Sequence, residues 1–136
     1  MTLEVSKPIS TANRPTPKKV LIVEDNDLNM KLFNDLLVAH GYGTLQTRDG
    51  IEALALARQH HPDLILMDIQ LPIMDGYEAT RLIKTDPNLR SIPIIAVTSY
   101  ALSGEEKKAR AAGCDDYVPK PFSPRQLLAK IRHYLQ

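Results

Sequence analysis

With 136 residues, 43% hydrophobic and 24% charged, the chain has room for one globular domain and not for two sizeable ones. A net charge of +1 argues against a nucleic-acid surface, and the single cysteine, Cys114, excludes an intrachain disulfide. No apolar run reaches the roughly 20 residues of a membrane span, and residues 1–16 lack a signal peptide's apolar core, so a cytoplasmic protein without membrane insertion is expected.

Residues 1–17 carry Pro8, Pro15 and Pro17 among Ser, Thr and Asn without a hydrophobic period, and read as a flexible tail. Lys7, Arg14, Lys18 and Lys19 outnumber Glu4 over residues 1–19, a basic excess read as solvated. From residue 18 the pattern becomes strand–helix alternation, one domain over 18–136. The apolar run 20–23 predicts a first strand. A helix over about 27–40 follows, with the stripe Leu32, Phe33, Leu36 and Leu37 read mainly as core and Gly41 as its stop. A shorter strand is expected at 44–47, then a helix opened by Asp49-x-x-Glu52. The run 64–67 is the third strand, and Asp75-x-x-Glu78 opens the third helix. The run 94–97 is the fourth strand. Ser103-x-x-Glu106 opens a fourth helix over about 103–112 that offers mainly alanines and stops at Gly113. A short fifth strand lies at 117–118. Ser123-Pro124-x-Gln126 opens the last helix, with Leu127, Leu128, Ile131 and Leu135 on one face. Continuous apolar strands between helices imply a doubly wound α/β domain with five parallel strands and five helices.

The residues with chemistry fall just past the strands. Glu24 and Asp25 follow the first, Asp68 the third, Thr98 the fourth and Lys120 the fifth. Ligands of open parallel sheets bind at these carboxyl ends, beside the switch point in strand order; with order 2-1-3-4-5 that point lies between the strands carrying Asp25 and Asp68. Converging carboxylates repel, by roughly 3 kcal/mol per pair at about 5 Å and an effective dielectric near 20. A hard cation such as Mg²⁺, which accepts a few carboxylates, waters and a phosphate oxygen, would offset this. Lys120 supplies a point charge for a phosphate oxygen and Thr98 a hydroxyl donor.

Val23-Glu24-Asp25-Asn26, Leu66-Met67-Asp68-Ile69-Gln70-Leu71-Pro72-Ile73-Met74-Asp75-Gly76, Ala96-Val97-Thr98-Ser99 and Tyr117-Val118-Pro119-Lys120-Pro121 resemble the four signature stretches of response-regulator receiver domains. The resemblance covers about 18–136 and extends to stand-alone receivers of the DivK type through Leu28-Asn-Met-Lys-Leu-Phe33. It implies the flavodoxin-like, CheY-like fold. Asp68 would then be the phosphoacceptor. Glu24, Asp25, Asp68 and the backbone carbonyl of Gln70 would hold Mg²⁺ (or Mn²⁺). Thr98 and Lys120 would bind phosphoryl oxygens, Thr98 and Tyr117 would form the switch, and the Lys120–Pro121 bond would be cis, a form that only X–Pro bonds adopt cheaply. The implied function is a single-domain response regulator of a two-component phosphorelay, an acceptor that catalyses its own phosphotransfer and dephosphorylation and is not otherwise an enzyme. Its partners would be a sensor histidine kinase or histidine phosphotransfer protein, docked in part on the first helix, and a downstream protein target. A monomer or weak dimer and a role in cell-cycle or developmental control are expected. Gln70 and Tyr100 would tune the access of hydrolytic water, with Tyr100→Ala speeding dephosphorylation.

Other readings are weaker. An adaptor independent of phosphorylation would not need Glu24, Asp25, Asp68, Thr98 and Lys120 together. An aspartyl-phosphate hydrolase would favour a second acid where this chain has Gln70, and a flavin carrier a phosphate-binding loop where it has acids. Asp75 reads as a helix cap, Cys114 as a buried or loop thiol, and His40, His60, His61 and His133 as solvated, without metal-ligand spacing. Pro119 removes a backbone donor beside Lys120.

Overall fold

The structure, a computed structural model, describes residues 16–99 and 104–136. Strands β1 (Lys19–Val23), β2 (Gly43–Thr47), β3 (Leu64–Asp68), β4 (Ile94–Thr98) and β5 (Asp116–Pro119) alternate with helices α1 (Asp27–Ala39), α2 (Gly50–His60), α3 (Gly76–Thr85), α4 (Glu105–Ala112) and α5 (Pro124–Leu135). All pairings are parallel, and the strand order is β2-β1-β3-β4-β5, as expected.

The three central strands are buried along almost their whole length because helices cover both faces. Side chains alternate between two cores. Leu21, Val23, Ile65, Met67 and Ala96 meet Ala53 and Ala57 of α2, Ala79 and Ile83 of α3, and Ala109 of α4. Val20, Ile22, Leu66, Val97 and Val118 meet Phe33 and Leu37 of α1 and Leu127 and Ile131 of α5. Each large side chain so buried contributes about 1.5–3 kcal/mol. The alanines of α2 and α4 contribute less area but let those helices approach the sheet closely.

The helix starts follow the expected chemistry. Asp49, Asp75 and Ser123 accept from the backbone N–H of Glu52, Glu78 and Gln126, three residues on. Asn26 caps α1 in the same way, accepting from Asn29. The Glu52 carboxylate does not reach back to Asp49; it accepts from the Thr47 hydroxyl instead. Ser103 lies outside the described residues. Gly104 occupies the cap position of α4 in a left-handed conformation, with no side-chain cap. The C-cap Gly113 (φ 110°) and Gly41 (φ 88°), just past the His40 cap of α1, use the backbone freedom expected of helix stops.

The apolar stripe of α1 differs from its sequence reading. Phe33 and Leu37 are buried, Leu36 is half-buried, and Leu32 is exposed, while Met30 completes the buried face. Met30, Phe33 and Leu37 follow 3- and 4-residue spacing, whereas Leu32 lies about 100° around the helix from Phe33. On α5, Leu127, Leu128 and Ile131 are buried and Leu135 is half-buried.

Candidate functional site

Strand register builds the site. Val23 pairs with Met67, so one further residue sets Glu24 beside Asp68. Asp68 pairs with Val97, which places Thr98 at the end of β4 one step beyond. Thr98 in turn pairs with Pro119, and the next residue is Lys120. Three neighbouring strand ends and the segment after β5 thus deliver their polar side chains to one edge.

Glu24 is 1% exposed and Asp68 3%, and one ammonium faces both. Lys120 Nζ lies 3.2 Å from Asp68 Oδ2 and 3.4 Å from Glu24 Oε1. The other Asp68 oxygen accepts from the Gln70 backbone N–H at 3.0 Å, and Glu24 Oε2 accepts from the Asn26 backbone N–H at 3.1 Å. Glu24 Oε1 is charge-paired with Lys120 but accepts no hydrogen bond, an orphaned lone-pair site in a buried position. Burial, reinforced by the negative charge of Asp68, raises the Glu24 carboxyl to about 7.

The backbone around the site is tightly held. Glu24 N–H donates to the Thr47 carbonyl at 3.0 Å, extending the sheet past β1. Ile69 N–H donates to Val97 O at 3.1 Å, and Lys120 N–H donates to Thr98 O at 2.7 Å. That last bond explains why Pro119 is tolerated. In a parallel ladder alternate N–H groups face the neighbour, and at an edge strand the position of Pro119 faces away from β4. The Lys120–Pro121 bond is cis. Phe122 then stacks on Phe33 of α1, with ring centroids 4.7 Å apart, and anchors the segment that carries Lys120.

Not every expected residue converges equally. Asp25 is exposed on the β1–α1 loop, one residue past the buried Glu24. Thr98 is fully buried at the strand end. Tyr117 is half-buried on the α4 side of the sheet and borders a groove with Gln126 and Lys130. The Gln70 side chain is exposed, and Tyr100 lies outside the described residues. Asp75 is the α3 cap. Cys114 is buried against the Thr80 hydroxyl, and burial raises its pKa. His40, His60, His61 and His133 are exposed.

Several contributing residues carried no sequence signal of their role. Arg48 reaches the acidic loop, donating to the Asp25 carbonyl and pairing with Asp27. Tyr77 donates to the buried Glu105 carboxylate at 2.6 Å, joining α3 to α4. Only the aromatic identity of Phe122 hinted at its stacking on Phe33.

Among the described residues, no three His, Cys, Asp or Glu side chains are grouped so as to hold a metal ion by themselves. Mg²⁺ does not require such a cage, since it keeps several waters and takes one or two carboxylates. The buried acid pair and the orphaned Glu24 oxygen fit that demand.

A family model for the response regulator receiver domain matches residues 20–132. The chain is 57% identical over 118 residues to the polar-differentiation response regulator DivK of Brucella ovis, covering 87% of this chain and 96% of that protein. A crystal structure of a response regulator from Chloroflexus aurantiacus superposes with a TM-score of 0.85 at 29% identity, over 88% of this chain and 98% of that one. The receiver domain of the sensor histidine kinase PA1611 from Pseudomonas aeruginosa, with a magnesium ion in its active-site cleft, superposes with a TM-score of 0.82 at 39% identity, covering 88% of this chain and 98% of that one. No helix of the described residues is long and apolar enough to cross a membrane. A family match over most of the chain, on a sheet of the same strand order, leaves one assignment: this chain belongs to the response regulator receiver family of signalling proteins.

Proposed function

We propose that this protein is a phosphoryl-accepting switch of the DivK type, with Asp68 as acceptor. The observation that carries the reading is the Lys120 ammonium set between the Asp68 and Glu24 carboxylates at the carboxyl edge of the sheet. Glu24, Asp25, Asp68 and the carbonyl of Gln70 are the residues that would hold Mg²⁺ or Mn²⁺. When bound, the cation would offset the negative charge of the carboxylates and of the incoming phosphoryl group.

In the proposed reaction, an Asp68 oxygen attacks the phosphorus of a donor phosphohistidine. The new O–P bond forms as the P–N bond breaks, and the imidazole nitrogen leaves with the electron pair. Lys120 neutralises an oxygen of the transferred group, and the Thr98 hydroxyl donates to another. Catalysis is positioning plus electrostatics. Water later attacks the acyl phosphate, restoring the Asp68 carboxylate and releasing phosphate, with access set by Gln70 and Tyr100.

The charged group on Asp68 would draw Thr98 toward it and open space for Tyr117, biasing the surface formed by α4, β5 and α5. The donor is a histidine kinase or histidine phosphotransfer protein, docked beside the cleft bordered by Asn29, Leu32, Ser99, Phe122 and Pro124. A downstream protein reads the switched surface, and the setting is the cytoplasm. Residues 18–136 form the receiver unit, with 1–17 as its tail. The name of the Brucella relative supports a role in polar differentiation.

The test is acetyl phosphate with MgCl₂, followed by intact mass. Wild type should gain one phosphoryl group, lost with EDTA and in Asp68→Asn. An equal gain in Asp68→Asn would refute the assignment.

A further inference from the structure

The loop that carries Glu24 and Asp25 is gripped from the side by β2 and the residue after it. Thr47, the last residue of β2, accepts from Glu24 N–H through its carbonyl at 3.0 Å. Arg48 follows, donates from Nη1 to the carbonyl of Asp25 at 3.0 Å, and pairs through Nη2 with the Asp27 carboxylate. The Glu24–Asp25 segment is therefore held at its entering N–H by the last residue of β2 and at its leaving carbonyl by the residue after it. A guanidinium suits this task, because its planar fork serves a carbonyl and a carboxylate at once, which a lysine ammonium does less well.

The Arg48 side chain is 57% exposed and that of Asp27 79%, so their ion pair contributes little to stability. Its consequence is geometric. Glu24 is fixed by burial and by the Asn26 N–H, but Asp25 stands on the exposed part of the loop. The grip of Arg48 on its carbonyl restrains the backbone from which that carboxylate projects.

We propose that Arg48 is a positioning residue for the divalent cation of this site, holding the backbone of the β1–α1 loop that carries Asp25 next to the buried Glu24. The inference rests on the receiver reading of the site. One effect opposes it: a guanidinium repels a nearby cation. That repulsion is reduced by the water around the exposed guanidinium and by its pairing with Asp27. In this reading preorganisation of the ligand is the larger effect, and the titration below reads the balance.

The experiment is calorimetric titration of MgCl₂ into the full chain, as wild type, Arg48→Ala, Arg48→Lys and Asp27→Asn, with melting temperatures taken in EDTA. Arg48→Ala is expected to weaken Mg²⁺ binding about three- to tenfold, less than for a buried partner of a metal ligand. Arg48→Lys should recover part of the loss, and the melting temperature in EDTA should stay within about 2 °C of wild type, as for an exposed substitution. Binding by Arg48→Ala equal to or tighter than wild type overturns the proposal. If Arg48→Ala does not fold, Asp27→Asn decides in the same way, since it loosens the guanidinium and leaves the rest of the loop intact. Wild type that binds no Mg²⁺ at millimolar concentration overturns the receiver reading itself and this inference with it. Binding by wild type that is unchanged in the variants overturns this inference alone.

Discussion

Lys120 Nζ stands 3.2 Å from Asp68 Oδ2, and the same ammonium faces Glu24 at 3.4 Å. One cation thus moderates the repulsion between two carboxylates that are both almost fully buried. Removing a partner from a buried charge cluster is costlier than the cluster's net worth, because it leaves uncompensated charge. Lys120→Ala should destabilise the metal-free protein at pH 8 by about 1–3 kcal/mol, less than a fully buried pair would because Lys120 is 15% exposed. It should also slow phosphoryl acceptance about 100-fold or more, on the scale of one removed oxyanion donor. Urea unfolding in EDTA and the acetyl phosphate rate check the two parts separately.

Glu24 sets a pH dependence. Its carboxyl is raised from 4.5 to about 7, first by burial and then by Asp68. A raised folded-state value means that the folded protein binds the proton more tightly than the unfolded chain. The associated stability is fully present below about 4.5 and is lost as pH rises through about 7. The metal-free protein should therefore be less stable at pH 8 than at pH 5 through this group. Glu24→Gln should remove most of that difference, on the order of 1–3 kcal/mol. Melting curves of both proteins in EDTA at the two pH values test this; parallel shifts would contradict it.

Gly76, the first residue of α3, allows no side chain. A Cβ there would lie 2.3 Å from the backbone oxygen of Asp68 and 2.8 Å from Ile69 Cα. Both contacts are backbone, so relief requires moving the segment that carries Asp68. Gly76→Ala is expected to destabilise by about 1–3 kcal/mol or somewhat more, the range of overpacking with backbone shift. It should also reduce phosphoryl acceptance more than its stability loss alone explains. Acceptance at the wild-type rate in the folded fraction would count against this.

Tyr77 follows Gly76 and donates to Glu105 at 2.6 Å, across from α3 to the first residue of α4. Burial, then Glu105, raises the Tyr77 hydroxyl further, so it remains a donor at neutral pH. Glu105 is 8% exposed, and α4 has no side-chain cap and buries chiefly alanines, so this bond is a main tie of the helix start. Tyr77→Phe should cost about 1–3 kcal/mol by leaving a buried carboxylate without that donor. Amide exchange should rise in α4 and not in α5; equal protection of α4 in both proteins would refute the tie.

The strands were legible because doubly covered parallel strands leave unbroken apolar runs, their order only through the resemblance to receiver domains, and the caps because Asp49, Asp75 and Ser123 act within three residues of themselves. The convergence of Glu24, Asp68 and Lys120 followed from register alone, since each stands one residue past a strand pair or at its end. What escaped depends on contacts between elements distant in sequence. Nothing near Arg48 announces that it will meet Asp25, 23 residues earlier. Nothing near Glu105 announces that Tyr77, 28 residues away, will donate to it. Leu32 was misplaced because four apolar residues in six blur the phase of a helical stripe. The left-handed backbone of Ile73 (φ 68°), costly for a β-branched residue, has no local sequence signature.

The central claim is that Asp68 itself carries the phosphoryl group. Borohydride reduction of the phosphorylated protein converts an aspartyl phosphate to homoserine, which peptide mass spectrometry locates. Homoserine is expected at position 68 and at no other carboxylate, dependent on Mg²⁺ during phosphorylation. Homoserine at Asp25 or Asp75 instead, or phosphorylation with position 68 unaltered, would contradict it.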